Sequence, residues 1–273
     1  MTRPIEAIEL RGVTLEPIDT ALPVFVMGDP RELRIDEAYQ RSITERSIKL
    51  IRKLAATWNW RKYVPPLVVE VDGEYHVIDG QHQAIAAASR GDIAEMPLML
   101  VEAPEQADLA DAFVGRNRDR LAVTRMQLHF AAVEAKNEDA MTIAQVCWRA
   151  GVVLVRQQPA AGKWKPGETM AIGSIEGLIK RRYAIGARKV LEIIVGAGMA
   201  PVTADQIKAV EALLFDEQYK GKVDGPAITA TLRAVGSIRL ERDAAAYVAI
   251  APCRMWIALA KVLFNACVAR WKD

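Results

Sequence analysis

Along the first hundred residues, apolar positions switch between two periods. LPVFVMG (Leu22 to Gly28) is a continuous apolar run that predicts a short strand. From Thr44 onward Ile48, Ile51, Leu54 and Ala55 recur at helical spacing, which predicts a helix opening at Thr44 and Glu45, with Ser47 in its first turns, and ending near Trp58. Pro65 and Pro66 lead into LVVEV, Asp72-Gly73 is a two-residue hairpin signal, and EYHVI returns as the partner strand. Asp79-Gly80 follows directly, then the alanine-rich helical stretch QHQAIAAASRG closed by Gly91, then PLMLV (Pro97 to Val101) as a further strand. Another helix is predicted from about Pro104 through DLADAFV to the polar run Gly115, Arg116, Asn117, Arg118, Asp119, Arg120.

After Thr124 the strand period fades. MQLHFAAVEAK, MTIAQVCWRAG, IGSIEGLIKRRY, ARKVLEIIV, ADQIKAVEALL and CRMWIALAKVLFNACVARW each carry helical periodicity. The predicted architecture is therefore an α+β domain over residues 1–124 and an all-α domain over 125–273, and the length of 273 residues accommodates two modest cores. Within the helical half, Met141 to Gln158 predicts a helix-turn-helix with its turn at Gly151 and a short second helix ending before Pro159. QQPAAGKWKPGE (157–168) reads as a loop or hinge. The terminal helix, with Trp256, Leu259, Val262 and Leu263, is expected to pack into the domain's own core, with a homodimer seam as the alternative.

Composition adds one feature. With 51% hydrophobic and 26% charged residues the chain belongs with folded proteins rather than disordered ones, but its formal charge of +2 conceals an asymmetry. Residues 1–124 carry 15 Lys and Arg against 20 Asp and Glu, and residues 125–273 carry 21 against 14. Arg149, Arg156, Lys163, Lys165, Lys180, Arg181, Arg182, Arg188 and Lys189 meet only Glu168 and Glu176 in their stretch, the footprint of a DNA-contacting surface unless it is a solvated helix face. Lys180, Arg181, Arg182, Arg188 and Lys189 are the better candidates for phosphate contacts, with Tyr183 placed to stack on a base or pack.

Cys147, Cys253 and Cys267 lack the paired spacing of a zinc site and read as core residues, and His76, His82 and His129 form no HExxH-type pair, so no metal site is expected. No run approaches the roughly 18 apolar residues of a membrane span, and MTRPIEAIEL is not a leader-type segment, so the expectation is a cytoplasmic protein without a membrane partner.

The strand, glycine turn and helix at Asp79-Gly80 form a unit with chemistry of its own. A helix start presents N–H groups that have no intrahelical carbonyl, and a glycine there lets an anion approach the backbone. His82 and Gln83 add side-chain donors in the first turn. Such a junction also serves as ordinary fold punctuation.

DGQHQAIAAASRG (Asp79 to Gly91) resembles the DGQHR box of ParB-like proteins, and EYHVI, PLMLV and GRNRDR are similar to successive elements of the ParB/sulfiredoxin fold, of the type found in phages and mobile elements. The resemblance covers roughly residues 20–125. It implies a pocket for a nucleotide phosphate, CTP or another nucleoside triphosphate, formed by Gln40, Arg41, Gly80, Gln81, His82, Gln83, Asn117 and Arg120. The helical half loosely resembles the helical region that follows such boxes in proteins of phages and mobile elements.

The chain departs from the family's pattern at chemically decisive places. Gln81, His82 and Gln83 stand where nucleotide-hydrolysing members carry Glu-Arg-Arg, and an amide cannot accept a proton near neutrality. Arg116 stands where an acidic residue helps to hold Mg²⁺, and a cation there repels a metal. Gln81 also replaces the reactive cysteine of sulfiredoxin, which removes that thiol chemistry. No carboxylate cluster suits two-metal phosphodiester cleavage. The expectation is a ParB-like DNA-binding protein with a phosphate pocket weak or inactive in hydrolysis. The alternatives are a nucleotide hydrolase or phosphotransferase with Asp79 and His82 as acid or base, and a protein-interaction module that uses no ligand.

Overall fold

The chain divides into two compact units, Met1–Leu121 and Ala122–Asp273. In the computed structural model the described residues are 4–15, 17–18, 20–35, 42–102 and 122–270.

The sheet of the first unit is organised by one hairpin. Asp72 (φ 52°) and Gly73 (φ 81°) both take the left-handed conformation, which a two-residue hairpin turn requires. They join β3 (Leu67–Val71) to β4 (Glu74–Asp79) with Val71 opposite Glu74. β1 (Val24–Gly28) pairs antiparallel with β5 (Met96–Leu100), β5 runs parallel to β3, and β4 runs parallel to the two-residue β2 (Arg34–Ile35). The resulting order is β1-β5-β3-β4-β2.

Alternation along these strands gives the sheet two apolar faces. Val68, Val77, Met96 and Leu98 pack with Ala84, Ala87 and Ile93, while Leu67, Val69 and Ile78 cluster on the other side with Met99 and Val101. Ala84 and Ala87 belong to α2 (Gln81–Arg90), whose run of small side chains brings the helix close to the strands. α1 (Glu45–Ala56) is capped where the sequence predicts, with the Thr44 hydroxyl accepting from the Ser47 amide, and it is tied to α2 by Arg90 Nη1 donating to the Ala55 carbonyl at 2.6 Å. The helix expected after Pro104 lies outside the described residues.

The second unit is helical: α3 (Arg125–Glu134), α4 (Glu138–Arg149), α5 (Ile172–Gly196), α6 (Ala204–Phe215), α7 (Gly225–Val235), α8 (Ser237–Ile250) and α9 (Met255–Arg270). α7 and α8 go beyond the predicted set; α7 starts at Asp224, whose carboxylate accepts from the Ala227 amide. The terminal helix α9 buries Ala258, Leu259, Leu263 and Cys267 in the common core with Ile194, Leu213, Ile228 and Leu240, which is the core-packing role read from its pattern. Cys147 is likewise buried and its thiol is pushed up to about 12 by that burial, whereas Cys253, expected in the core, is only half-buried.

The helix-turn-helix expected over 141–158 is not formed. Gly151 does turn the chain (φ 72°), but the residues that follow make a strand, β6 (Val153–Leu154), parallel to β7 (Glu168–Thr169). The amides of Val153 and Val155 donate to the Gly167 and Thr169 carbonyls, so the valine-rich run Val152 to Val155 finds strand partners instead of a helical turn. α5 also departs from a plain helix, since Tyr183 at φ 55° breaks it between Arg182 and Ala184.

Leu263 is fully buried in the helical core. Leu263→Ala is expected to lower the unfolding free energy by about 2–5 kcal/mol, read from the urea midpoint; an unchanged midpoint contradicts this packing of α9.

Candidate functional site

Gly80 is the hinge between β4 and α2. Its φ of 96° lies in the left-handed region, and a Cβ at this position would stand 3.0 Å from Pro66 Cα and 3.2 Å from Pro66 Cβ. Both conformation and space therefore demand glycine. The Asp79 carboxylate accepts from the Gly80 amide at 2.8 Å, and the Gly80 carbonyl accepts from Gln83 and Ala84 at 2.9 and 3.1 Å, so the turn is held on both sides. α2 starts immediately, with Gln81 buried and His82 and Gln83 half-buried in its first turn.

His82 Nε2 is buried and has no hydrogen-bond partner among the described residues. A ring nitrogen enclosed without a partner costs about 1–3 kcal/mol, and here it stands beside a helix start that favours negative charge. Gln83 belongs to this turn and also lines a cavity of about 270 Å³. Trp58 and Tyr63 line the same cavity, together with Lys53, Asn59 and Lys62. Trp58, Trp60 and Tyr63 meet in edge-on and tilted contacts at 5.0 to 5.5 Å between ring centres, and the Tyr63 hydroxyl donates to the Pro97 carbonyl. Burial raises the Tyr63 phenol, so it stays protonated as that donor. Trp58 Nε1 is a second buried donor without a partner among the described residues. The sequence reading missed this wall, although three aromatics in WNWRKY beside a helix end were a visible signal.

Of the residues that the family resemblance assigns to a phosphate pocket, the structure brings Gly80, Gln81, His82 and Gln83 together at one helix start. Gln40, Arg41, Asn117 and Arg120, together with Arg116 and Arg118, lie outside the described residues. Asp79, a candidate acid or base, uses a carboxylate oxygen to pin the turn. No group of three His, Cys, Asp or Glu side chains gathers around a common point among the described residues.

Solved structures similar to this chain include ParB structures. One is the C-terminally truncated chromosome-partitioning protein ParB from Caulobacter crescentus complexed with CTP-gamma-S, with 13% identity and a TM-score of 0.35, covering 88% of this chain and 98% of that one. Another is the truncated Caulobacter crescentus ParB complexed to the centromeric parS site, with 13% identity and a TM-score of 0.27, covering 77% of this chain and 100% of that one. A third is a Pnob8-like ParB-N domain, with 13% identity and a TM-score of 0.29, covering 91% and 97%. No family model matches the chain, and no curated protein matches it.

In the second unit the nine cations expected to face DNA are held in four different ways. Arg181 donates Nε and Nη2 to both carboxylate oxygens of Glu211 at 3.0 and 2.7 Å, and Arg182 Nε donates to the same carboxylate at 2.9 Å while its guanidinium lies over the Phe215 ring at 4.8 Å. Glu211 is buried, so these two arginines neutralise an interior charge as well as facing outward, a role the charge count along the sequence did not reveal. Lys180 pairs with Glu176 and Arg188 with Glu192 in exposed, solvent-screened bridges one helical turn apart, easily exchanged for another anion. Arg149, Lys163, Lys165 and Lys189 are exposed and have no ion-pair partner among the described residues, and Arg156 lies over Phe130 at 4.1 Å. Tyr183 is 80% exposed, which leaves its ring open for stacking.

Burial alone would raise the Glu211 carboxyl, but hydrogen bonds from Arg181 and Arg182 and their charges outweigh it and hold the group below the usual glutamate range. A carboxyl depressed in the folded state stabilises fully above its unfolded pKa, and that contribution is lost as pH falls through the folded value. Arg181→Ala with Arg182→Ala is expected to cost about 3 kcal/mol at neutral pH. The gap from the parent chain should narrow below about pH 4, read by urea unfolding at both pH values. Gly80→Ala is expected to cost about 1–3 kcal/mol through strain at positive φ; an unperturbed midpoint contradicts the close approach of Pro66.

Proposed function

We propose that this chain is a ParB-like DNA-binding protein that holds a nucleotide phosphate at the Gly80 helix start, as a site of binding and not of turnover. The observation that carries the phosphate reading is His82 Nε2, a buried ring nitrogen in the first turn of α2 with no partner among the described residues. Guest oxygens at the helix start would complete it, and the cavity sharing Gln83 supports a base on the Trp58 and Tyr63 side. CTP or another nucleoside triphosphate suits both parts, with Gln40, Arg41, Asn117 and Arg120 supplying the remaining contacts that the family resemblance assigns. Against turnover stand Gln81, which is neutral where a carboxylate is needed, and Asp79, which holds the turn.

The DNA reading rests on the cations of the helical unit, of which Arg149, Lys163, Lys165 and Lys189 are exposed and unpaired among the described residues. Cations that neutralise backbone phosphates act by releasing counterions, so their removal weakens binding to any sequence and flattens the salt dependence.

Two measurements test the proposal. CTP is expected to raise the melting temperature of the parent chain, by the linkage of ligand binding to folding, and His82→Ala to reduce that rise; no shift with CTP, ATP or GTP removes the nucleotide part. In fluorescence anisotropy at low salt, duplex DNA is expected to bind. Alanine at Arg149, Lys163, Lys165 and Lys189 together should reduce the log-log salt slope by up to about one for each phosphate that is no longer neutralised. An unaltered slope removes this DNA surface.

A further inference from the structure

A cavity of about 310 Å³ lies within the helical unit, far in sequence from the Gly80 turn, between the break in α5, the face of α6 and the start of α9. Its wall carries Arg181, Arg182, Lys208 and Arg254 against Glu211 and Asp216, with the indole of Trp256 beside them. Glu211 is met by both Arg181 and Arg182, and Asp216 lies 3.6 Å from Arg182. The two carboxylates are thus answered by the two arginines of α5. Lys208 and Arg254 remain, and neither has an ion-pair partner among the described residues.

Four cations facing two carboxylates leave a surplus of two positive charges in a small concave site. A guanidinium also has more N–H donors than Glu211 uses, so Arg181 and Arg182 can bridge from the carboxylate to a second acceptor. A phosphomonoester near neutral pH carries between about one and a half and two negative charges and three acceptor oxygens, which matches both the surplus and the donors. The apolar indole suits a ring attached to that phosphate. We propose that this cavity binds the dianionic phosphate of a small phosphomonoester, with Lys208 and Arg254 as its principal cations and Trp256 against the esterified ring. A nucleic-acid backbone phosphate shares the chemistry but carries a single charge, so charge separates the two sources.

Isothermal titration of the full chain with phenyl phosphate tests the assignment. A site is expected that Lys208→Ala and Arg254→Ala each weaken about tenfold or more, through the removal of one charge-assisted hydrogen bond in each case. His82→Ala should leave it unchanged, which separates it from the Gly80 site. Neither Lys208 nor Arg254 pairs with Glu211, so both variants should keep the parent melting temperature, and the pair of results is read only together. Absence of binding overturns the proposal, as does parent-level affinity in the two variants. Equal affinity for the monoanionic methyl phenyl phosphate also overturns it, because the charge match then fails and a diester backbone becomes the better guest.

Discussion

The conformation of Gly80 fixes more of the first unit than any other single constraint. β4 has to end, reverse its hydrogen bonding and become α2 within one residue, in a space that Pro66 already occupies to within 3.0 Å of where a Cβ would be. Pro66 immediately precedes β3, the hairpin partner of β4. The same backbone approach therefore sets the end of the hairpin, the start of the helix and the place of Gln83 on the cavity wall. A side chain at residue 80 would have to move the strand pair or the helix, and either movement alters where the helix start points. Asp79 adds a second restraint by accepting from the Gly80 amide.

What the sequence made legible is what is settled locally. Asp72-Gly73 marks a hairpin because its backbone angles are intrinsic to those residues, and the alanine run after Gly80 marks a helix that must lie close to a sheet. Breaking the 172–195 region into two helical stretches also matched a physical event, since Tyr183 takes a positive φ between them. The failures lie where distant residues decide. Val152 to Val155 could continue a helix or join a strand, and Gly167, from beyond a proline-rich loop, supplies the carbonyl that makes it a strand. Arg181 and Arg182 read as surface charge until Glu211 arrives from another helix, 30 and 29 residues later. The aromatic wall at Trp58 was passed over because edge-on contacts among close neighbours in sequence leave no periodic signal.

Counting charge along a chain measures the footprint of a polyanion surface but not which charges are available to it. Within the basic stretch, two arginines answer a buried carboxylate, two cations make exchangeable bridges, and those without an ion-pair partner among the described residues stand at the end of α4, in the connection to β7 or on α5 at Lys189. Desolvation separates these classes. Removing Arg181 or Arg182 leaves an interior carboxylate uncompensated, whereas removing Lys163 or Lys165 changes only the field outside. Loss of DNA binding on changing the first pair would therefore report on folding as much as on the DNA surface.

The two anion sites argued for this chain use opposite physics. At the proposed Gly80 site the attraction would come from fixed backbone dipoles and from the side-chain donors of the first turn, so it would depend on a guest approaching closely and lining up with the helix start. In the α5–α6–α9 cavity it comes from an excess of full charges around a carboxylate that anchors two of them. Glu211 is the element that makes that second site workable. By taking bonds from Arg181 and Arg182 it holds two flexible side chains in place before any guest arrives, which lowers the ordering cost of binding. A carboxylate inside an anion site thus opposes the guest by its charge and favours it by preorganising the donors, and the unpaired Lys208 and Arg254 decide the balance in favour of the anion.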